Sequence, residues 1–274
     1  MGSIKGIVFS YIELAISGKL FGSFAGNPIY TTNNLLDIAR GKVTGARQAQ
    51  IEGYTEGIIN GTKDISELAT NIIPTPPLSG TTMQVSSTSA NDTLLGTGSR
   101  SVIVEYIEPT TELLKQIEVN LNGTVAVTVS VPIAFVSDFY VKQSATLDTV
   151  SDGDITIYNA GTVFNIIKAS GNKSLQLFRY IPKDKNLYLS SMTVSGNSKA
   201  VSVRLRANIS DNGTTTQCYI FRSVEVTADG ANEVTFEPPM VINGGHYIKA
   251  SIFSSATDNG GLVSVGINGW LENV

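Results

Sequence analysis

The chain reads as an all-β protein, and three features of the sequence predict it. From Thr81 onward, short runs rich in Val, Ile, Thr, Tyr and Phe recur about every ten residues, and Gly, Asn, Asp and Pro separate them. Ala200–Ile209 alternates with period two: Val201, Val203, Leu205 and Ala207 against Ser202, Arg204, Arg206 and Asn208. No long run carries the 3.6-residue spacing that would give a helix an apolar stripe.

Residues 1–77 differ from the rest of the chain. They are rich in glycine and show little sustained alternation. Ile7–Ile16 fits a strand or a short amphipathic piece. Thr32 or Asn33 is placed to cap a short helix over Leu35–Ala39 that Gly41 would stop. Asp64–Ala69 offers a second helical turn. With too few periodic apolar positions for its own core, this stretch is expected to be an extended arm that orders on partner contacts, the alternative being an irregular N-terminal part packed on its own domain. Pro74, Pro76 and Pro77 restrict the backbone and remove donors, so the arm ends in a stiff linker.

A first β-sandwich domain is expected over residues 78–165. Its strands are Thr82–Ser86, Ser101–Ile107, Glu118–Asn122, Thr124–Val131, Phe135–Gln143 and Ile155–Tyr158. Asn122-Gly123 between strand-like runs predicts a type I′ hairpin, and Asp152-Gly153 a second turn. A second, jelly-roll-like sandwich is expected over 166–274. Its strands are Leu175–Tyr180, Leu187–Ser195, Ala200–Ile209, Gln217–Val226, Asn232–Phe236, Tyr247–Ser254 and Leu262–Leu271, with Asn212-Gly213 closing a hairpin.

Composition narrows the function. The net charge of −4 disfavours a nucleic-acid groove, which needs clustered Lys and Arg to neutralise phosphates. Charged residues are only 15 % of the chain, with Ser, Thr, Asn and Gly in their place, which suits surfaces that neighbouring subunits cover. Cys218 is the only cysteine, so no internal disulfide forms; it reads as a small buried hydrophobe. The most apolar run, Ile7–Ile16, is too short to span a bilayer and is broken by Glu13. It also makes a poor signal peptide, and Gly6 fails the myristoylation pattern that Met1-Gly2 begins.

Chemistry-bearing constellations are sparse. One histidine and one cysteine leave little for zinc or redox sites. A Ser-His-Asp triad would have to use His246, which sits in a turn entering a strand. Asp148, Asp152 and Asp154 space hard oxygen ligands in a way a calcium ion could use, without the full loop pattern. The same acids, with Asp211, are the nearest approach to a glycosidase carboxylate pair, and ordinary turn chemistry accounts for them. The Asn-x-Ser/Thr triplets at Asn60, Asn91, Asn122, Asn172, Asn208 and Asn212 read as turns. Trp270, Tyr219, Phe221, Tyr247 and Phe253 could form a sugar platform, but core packing is the plainer reading. The expectation is therefore no catalytic residue, no metal site and no cofactor.

Several blocks resemble a family of tailed-bacteriophage virion proteins. Ser86–Arg100, SSTSANDTLLGTGSR, with Ser101-Val102 after it, is similar to the family pattern S-S-S-A-N-D-T-x-x-G-T-G-A-R-T-V. Val119–Val125, Ser151–Ile157 and Tyr180–Leu189 resemble its V-T-L-N-G-T-T-P-V, N-A-G-D-I-T-I and Y-T-V-P-A-G-K-x-x-x-L segments, and Leu35–Val43 is similar to an N-terminal I-A-R-G-L-V. The likeness covers most of residues 81–190. It implies a capsid- or tail-associated virion protein with no chemistry attached.

Together these readings predict a non-enzymatic virion component, made in the host cytoplasm. A capsid decoration or head-fibre protein anchored by its N-terminal arm is the first expectation. Its partners would be the major capsid protein or tail and neck proteins, and it would form a homo-oligomer, with a trimer the first choice. Neither nucleic acid nor membrane is an expected partner. The alternative is a tail-associated receptor- or carbohydrate-binding protein that takes a host glycan.

Overall fold

The computed structural model describes residues 34–147, 149–197, 201–211, 216–226 and 230–274, except for the side chains of 34–35, 208–211 and 216–221. Chain contacts divide it into two units, Met1–Gln48 and Ala49–Val274. In the described part of the smaller unit, the expected helix forms as α1 (Asn34–Ala39). Lys42 N–H donates to Asp37 O at 2.8 Å and Gly41 N–H to Ile38 O at 2.9 Å, with Gly41 at φ 69°. This is the glycine-terminated C-cap that Gly41 predicts, with orphan carbonyls satisfied by a left-handed residue.

The described chain is otherwise β, in antiparallel sheets, as the sequence predicts. A first β body contains β3 (Thr81–Ser87), β4 (Ser99–Ile107), β5 (Leu114–Asn120), β6 (Val127–Ile133), β7 (Phe135–Ser144), β8 (Ile155–Asn159) and β9 (Thr162–Ile167). Its two sheets run β6-β3-β8-β9 and β5-β4-β7. Met83, Val85, Val104, Val129, Phe139, Ile155 and Ile157 fill the space between them. Strand β9 was not expected, because Val163, Phe164 and Ile166 do not alternate cleanly with polar residues. As an edge strand it pairs only with β8.

The second body is built from β1 (Ala46–Ile58), β2 (Gly61–Asp64), β10 (Phe178–Tyr180), β11 (Lys185–Gly196), β12 (Val201–Asp211), β13 (Thr216–Val226), β14 (Gly230–Ile242), β15 (Tyr247–Ser254) and β16 (Asp258–Asn273). One sheet runs β1-β16-β11-β14. The other runs β10-β15-β12-β13, with β2 also on β15. Number β1, β2 and β11 to β16 as one to eight. The pairs are then one with eight, two with seven, three with six and four with five. A long hairpin rolled up in that way is a jelly roll. Strand β10 takes the part of the β15 edge at Tyr247–Lys249, beside the Ser251–Ser254 part that β2 occupies. The first body is thus an insertion between the second and third strands of the roll.

This corrects the reading of residues 46–64. They contribute two strands of the roll within the stretch expected to be an arm. The inward face of β1 is Ile51, Gly53, Thr55 and Ile58, so half of it is small and the apolar alternation is faint. Gly53 is required there: a Cβ would meet the Leu177 Cβ at 2.7 Å. Gly57, at φ 69°, then resets the alternation before Ile58. The helical turn expected at Asp64–Ala69 is absent as well. Asp64 ends β2, and the chain beyond it is irregular.

The Asn122-Gly123 hairpin is also corrected. Strands β5 and β6 lie in different sheets and do not pair. The turn runs Asn122–Val125, with Val125 N–H donating to Asn122 O at 3.1 Å and Gly123 at φ 61°. The Gly123 backbone bonds instead to Ser87 and Asp92. The Asn212-Gly213 turn lies outside the described residues, but the strands on either side of it, β12 and β13, pair antiparallel.

Both ends of the insertion are tied to the roll. Buried Asp64 accepts hydrogen bonds from Lys249 Nζ (2.8 Å), Ser251 Oγ (2.6 Å), Arg206 Nη2 (3.2 Å) and Ile73 N–H (2.9 Å). On the return, Leu177 N–H donates to Ile65 O at 2.9 Å and Ala250 N–H to Leu177 O at 3.1 Å. An aromatic cluster joins the two bodies. Phe135 of β7 meets Phe178 edge-on at 5.1 Å between centroids, and Tyr247 at 5.4 Å; Tyr180 lies 4.9 Å from Tyr247. Leu68, Ile73 and Ile107 complete this core.

Candidate functional site

Three of the resembling blocks meet at one carboxylate. The Ser86–Arg100 segment leaves β3, turns back and enters β4, and Asp92 at its centre is fully buried. Asp92 Oδ1 accepts from the N–H groups of Ser99 (2.8 Å) and Asp152 (2.9 Å). Oδ2 accepts from Ser87 Oγ (2.6 Å) and Gly153 N–H (2.9 Å). The turn after β5 closes the knot. Gly123 N–H donates to Asp92 O at 2.8 Å, and Ser87 N–H donates to Gly123 O at 2.9 Å. A buried charge is tolerated only when its hydrogen-bonding capacity is filled, and here all four acceptor positions are used.

The glycines of these blocks have a steric reason. A Cβ on Gly98 would sit 2.2 Å from Asp92 Oδ1, one on Gly96 2.0 Å from Asn91 O, and one on Gly153 2.5 Å from Ser89 N. Asn91-Asp92 followed by Gly96-Thr97-Gly98 is therefore a buried acid with room cleared around it. The sequence shows the pattern but not the fold it serves, because two of the four donors, the Asp152 and Gly153 N–H groups, come from residues some sixty positions away.

Asp152 and Asp154, the described candidate acids, bind different partners. Asp152 Oδ2 accepts from Asn91 Nδ2 at 2.6 Å and Ser89 Oγ at 3.1 Å. Asp154 instead binds Lys168 Nζ at 2.5 Å and Ala169 N–H at 2.8 Å. Burial pushes the Asp154 carboxyl up, but these two donors outweigh it and hold the group below its ordinary value. Both acids thus pin loops. Asp148 and the side chains of Asp211, Cys218, Tyr219 and Phe221 lie outside the described residues. Among the described residues no group of three His, Cys, Asp or Glu is placed to hold a metal ion. No described helix is long and apolar enough to cross a membrane.

His246 Nδ1 lies 3.0 Å from Gly244 O, which fixes it as the donor there. Trp270 stacks on Tyr188 with 5.2 Å between centroids and 6° between planes, and is nearly buried. Tyr247 belongs to the junction core. Of the described aromatic candidates, Phe253 is exposed, and its ring faces the Arg204 guanidinium at 4.0 Å.

The knot carries an apolar tip. Leu94, Leu95, Val125, Leu147 and Val150 are exposed on the loops at this end of the first body, Leu95 and Leu147 almost completely. Thr93 bridges Asn122, and Ala145 N–H donates to Gly98 O at 3.1 Å, so these loops are held together.

No protein-family model matches the chain, and no curated protein matches it. Among solved structures it is similar to one titled for infectious bursal disease virus Gt strain, with 12 % identity, 82 % of this chain and 70 % of that chain covered, and a TM-score of 0.24. It is also similar to a mutant VP2 protein of infectious bursal disease virus in derived T=1 particles, with 10 % identity, 96 % and 79 % covered, and a TM-score of 0.20. Superpositions with such TM-scores assign neither fold nor function.

Proposed function

We propose that the chain is a structural protein of a virus particle, with no catalytic role. The observation that carries this reading is the jelly roll with a second β-sandwich inserted between its second and third strands. Jelly rolls recur in capsid and lectin domains, so this support is at the level of the fold. The motif resemblance adds the bacteriophage particle as the setting. The knotted loops give it a physical basis, since the blocks that carry the resemblance build one rigid feature. The exposed aliphatic side chains on that feature are of the kind that neighbouring subunits cover.

In finer detail, residues 1–45, ahead of β1, serve as the anchor, the jelly roll lies against the particle and the inserted body faces outward. Decoration of the head, as a homotrimer bound to the major capsid protein, is the preferred placement. Symmetric closure is the common state of such assemblies. Mass spectrometry of purified particles, divided into heads and tails, tests this directly. The protein is expected in the head fraction at a stoichiometric level. Its absence from particles would sink the reading, and recovery only in tails would move it to the alternative placement.

A further inference from the structure

Along β1, Glu52, Tyr54 and Glu56 alternate on the face opposite Ile51, Gly53 and Thr55. Across from them runs the return segment from the first body, Lys168–Leu175, with Leu175 O accepting from Tyr54 N–H at 3.1 Å. Two adjoining cavities lie between these walls. One, of about 220 Å³, is lined by Tyr54, Glu56, Lys63, Ser66, Glu67 and Lys168, with Leu68. The other, of about 310 Å³, is lined by Glu52, Glu67, Lys168, Ser170, Asn172 and Lys173 among others. Glu67 and Lys168 are common to both.

The groups in this groove are held in place yet have bonding capacity left. Tyr54 Oη donates to Glu56 Oε1 at 2.6 Å, and that bond, with burial, pushes the phenol up to about 12. Lys168 Nζ uses one donor on Asp154, and Lys63 Nζ is held by the Glu56 and Gly57 carbonyls. Glu67 accepts from the Leu175 N–H, and burial pushes its carboxyl up. Its other oxygen, Oε2, is buried without a partner, and so is the hydroxyl of Ser66, a residue 1 % exposed. Buried polar atoms are nearly always satisfied, so two unpartnered ones at the same cavity point to a ligand that supplies hydrogen bonds.

We propose that this groove binds a saccharide of two units, one over each cavity. The lining excludes the simpler classes. Glu52, Glu56 and Glu67 repel a phosphate or another anion. Lys63, Lys168 and Lys173 oppose a bare cation, and no described trio of acids is placed to chelate one. Leu68 and Leu175 are too little apolar surface for a hydrophobic ligand. Vicinal hydroxyls both donate and accept, which matches interleaved carboxylates, ammonium groups and hydroxyls. The position between two bodies is also where ligand sites concentrate. This inference does not depend on where the chain sits in a particle.

The test is saturation-transfer NMR and titration of the purified full chain with glucose, galactose, N-acetylglucosamine, maltose, lactose and chitobiose. At least one disaccharide is expected to bind at millimolar concentration or tighter, about tenfold better than its monosaccharide. Glu67→Gln and Lys168→Met should each weaken binding about tenfold or more, and Glu67→Gln should melt no lower than the wild type. Tyr140→Phe, outside the groove, should bind normally. No transfer from any of the six sugars, or binding that both groove variants leave unchanged, overturns the proposal.

Discussion

Asp92→Asn replaces one carboxylate oxygen of the knot by an amide NH2 and leaves the volume unchanged. With the amide nitrogen toward Ser99 and Asp152, two N–H donors face a donor; turned the other way, Gly153 N–H does while the Ser87 hydroxyl can turn to accept, and in both cases the surviving bonds lose their charge. A hydrogen bond to a charged acceptor contributes about 1.5–3 kcal/mol, so the gross loss is roughly 3–6 kcal/mol. Removing a buried charge returns part of its desolvation cost, which brings the net loss to roughly 2–4 kcal/mol. For a cooperative unit of this size each kcal/mol moves the midpoint by about 2–4 °C, so the variant should melt about 5–15 °C lower. Gly98→Ala drives a methyl group into the same carboxylate and should fall in the same range. Asp152→Asn, whose carboxylate is exposed, is the control and should cost less than about 1 kcal/mol. Thermal unfolding followed by circular dichroism reads the midpoint. Hydrogen exchange at the Ser99, Asp152 and Gly153 amides shows where protection is lost. An Asp92→Asn midpoint within about 2 °C of the wild type, or a control that falls as far, would refute the clamp.

Phe135→Ala removes the centre of the aromatic junction and should cost about 3–5 kcal/mol, read by denaturant titration; two separated transitions would show the bodies uncoupled. Deleting residues 1–45 should leave a soluble, cooperatively melting β protein, whereas deleting 1–77 removes β1 and β2 and should prevent folding; a folded 78–274 fragment contradicts the jelly-roll assignment. Gly123→Val should destabilise by roughly 1–3 kcal/mol, because it forces a branched residue to φ 61° with Ala90 Cα 3.0 Å from the new Cβ. The Tyr180 hydroxyl, then Lys183, hold the Glu112 carboxyl below its ordinary value against burial. A depressed carboxylate stabilises above its unfolded pKa and loses that contribution as pH falls through the folded one. The melting gap between wild type and Glu112→Gln should therefore be full at about pH 7 and close below about pH 4.

How much of this was legible in the sequence depends on where each residue finds its partner. Strands such as β4, β7, β12 and β15 announce themselves through their own Val, Ile and aromatic content, and they form close to where they were expected. Strand β1 hides because two of its inward positions are Gly53 and Thr55, and Gly53 is small to admit Leu177, a residue more than a hundred positions away. Asn122-Gly123 misleads for a related reason. Local turn chemistry predicts a hairpin, but Asp92 and Ser87 claim the backbone of Gly123 and send the chain to the other sheet. The groove was not visible at all. Its walls come from β1, from β2 and the residues just after it, and from the segment after β9, and none of these carries a motif.

The position of the insertion explains why both bodies need the residues ahead of it. In a rolled hairpin, strand two is laid against strand seven, so β2 is held only after β15 is in place. Between β2 and β11 the chain builds an entire sandwich and must return to the same edge of β15. It does so through β10, which occupies the half of that edge β2 leaves open. Departure and return are thus stitched to one strand, and the Asp64 network and the aromatic cluster lie on either side of that stitch. A body attached by a single linker would swing freely. Two adjacent tethers backed by a shared core resist rotation, so the tip at Leu95 and Leu147 is presented in a fixed direction from the roll. That rigidity is what a protein needs if one body contacts a particle and the other meets its surroundings.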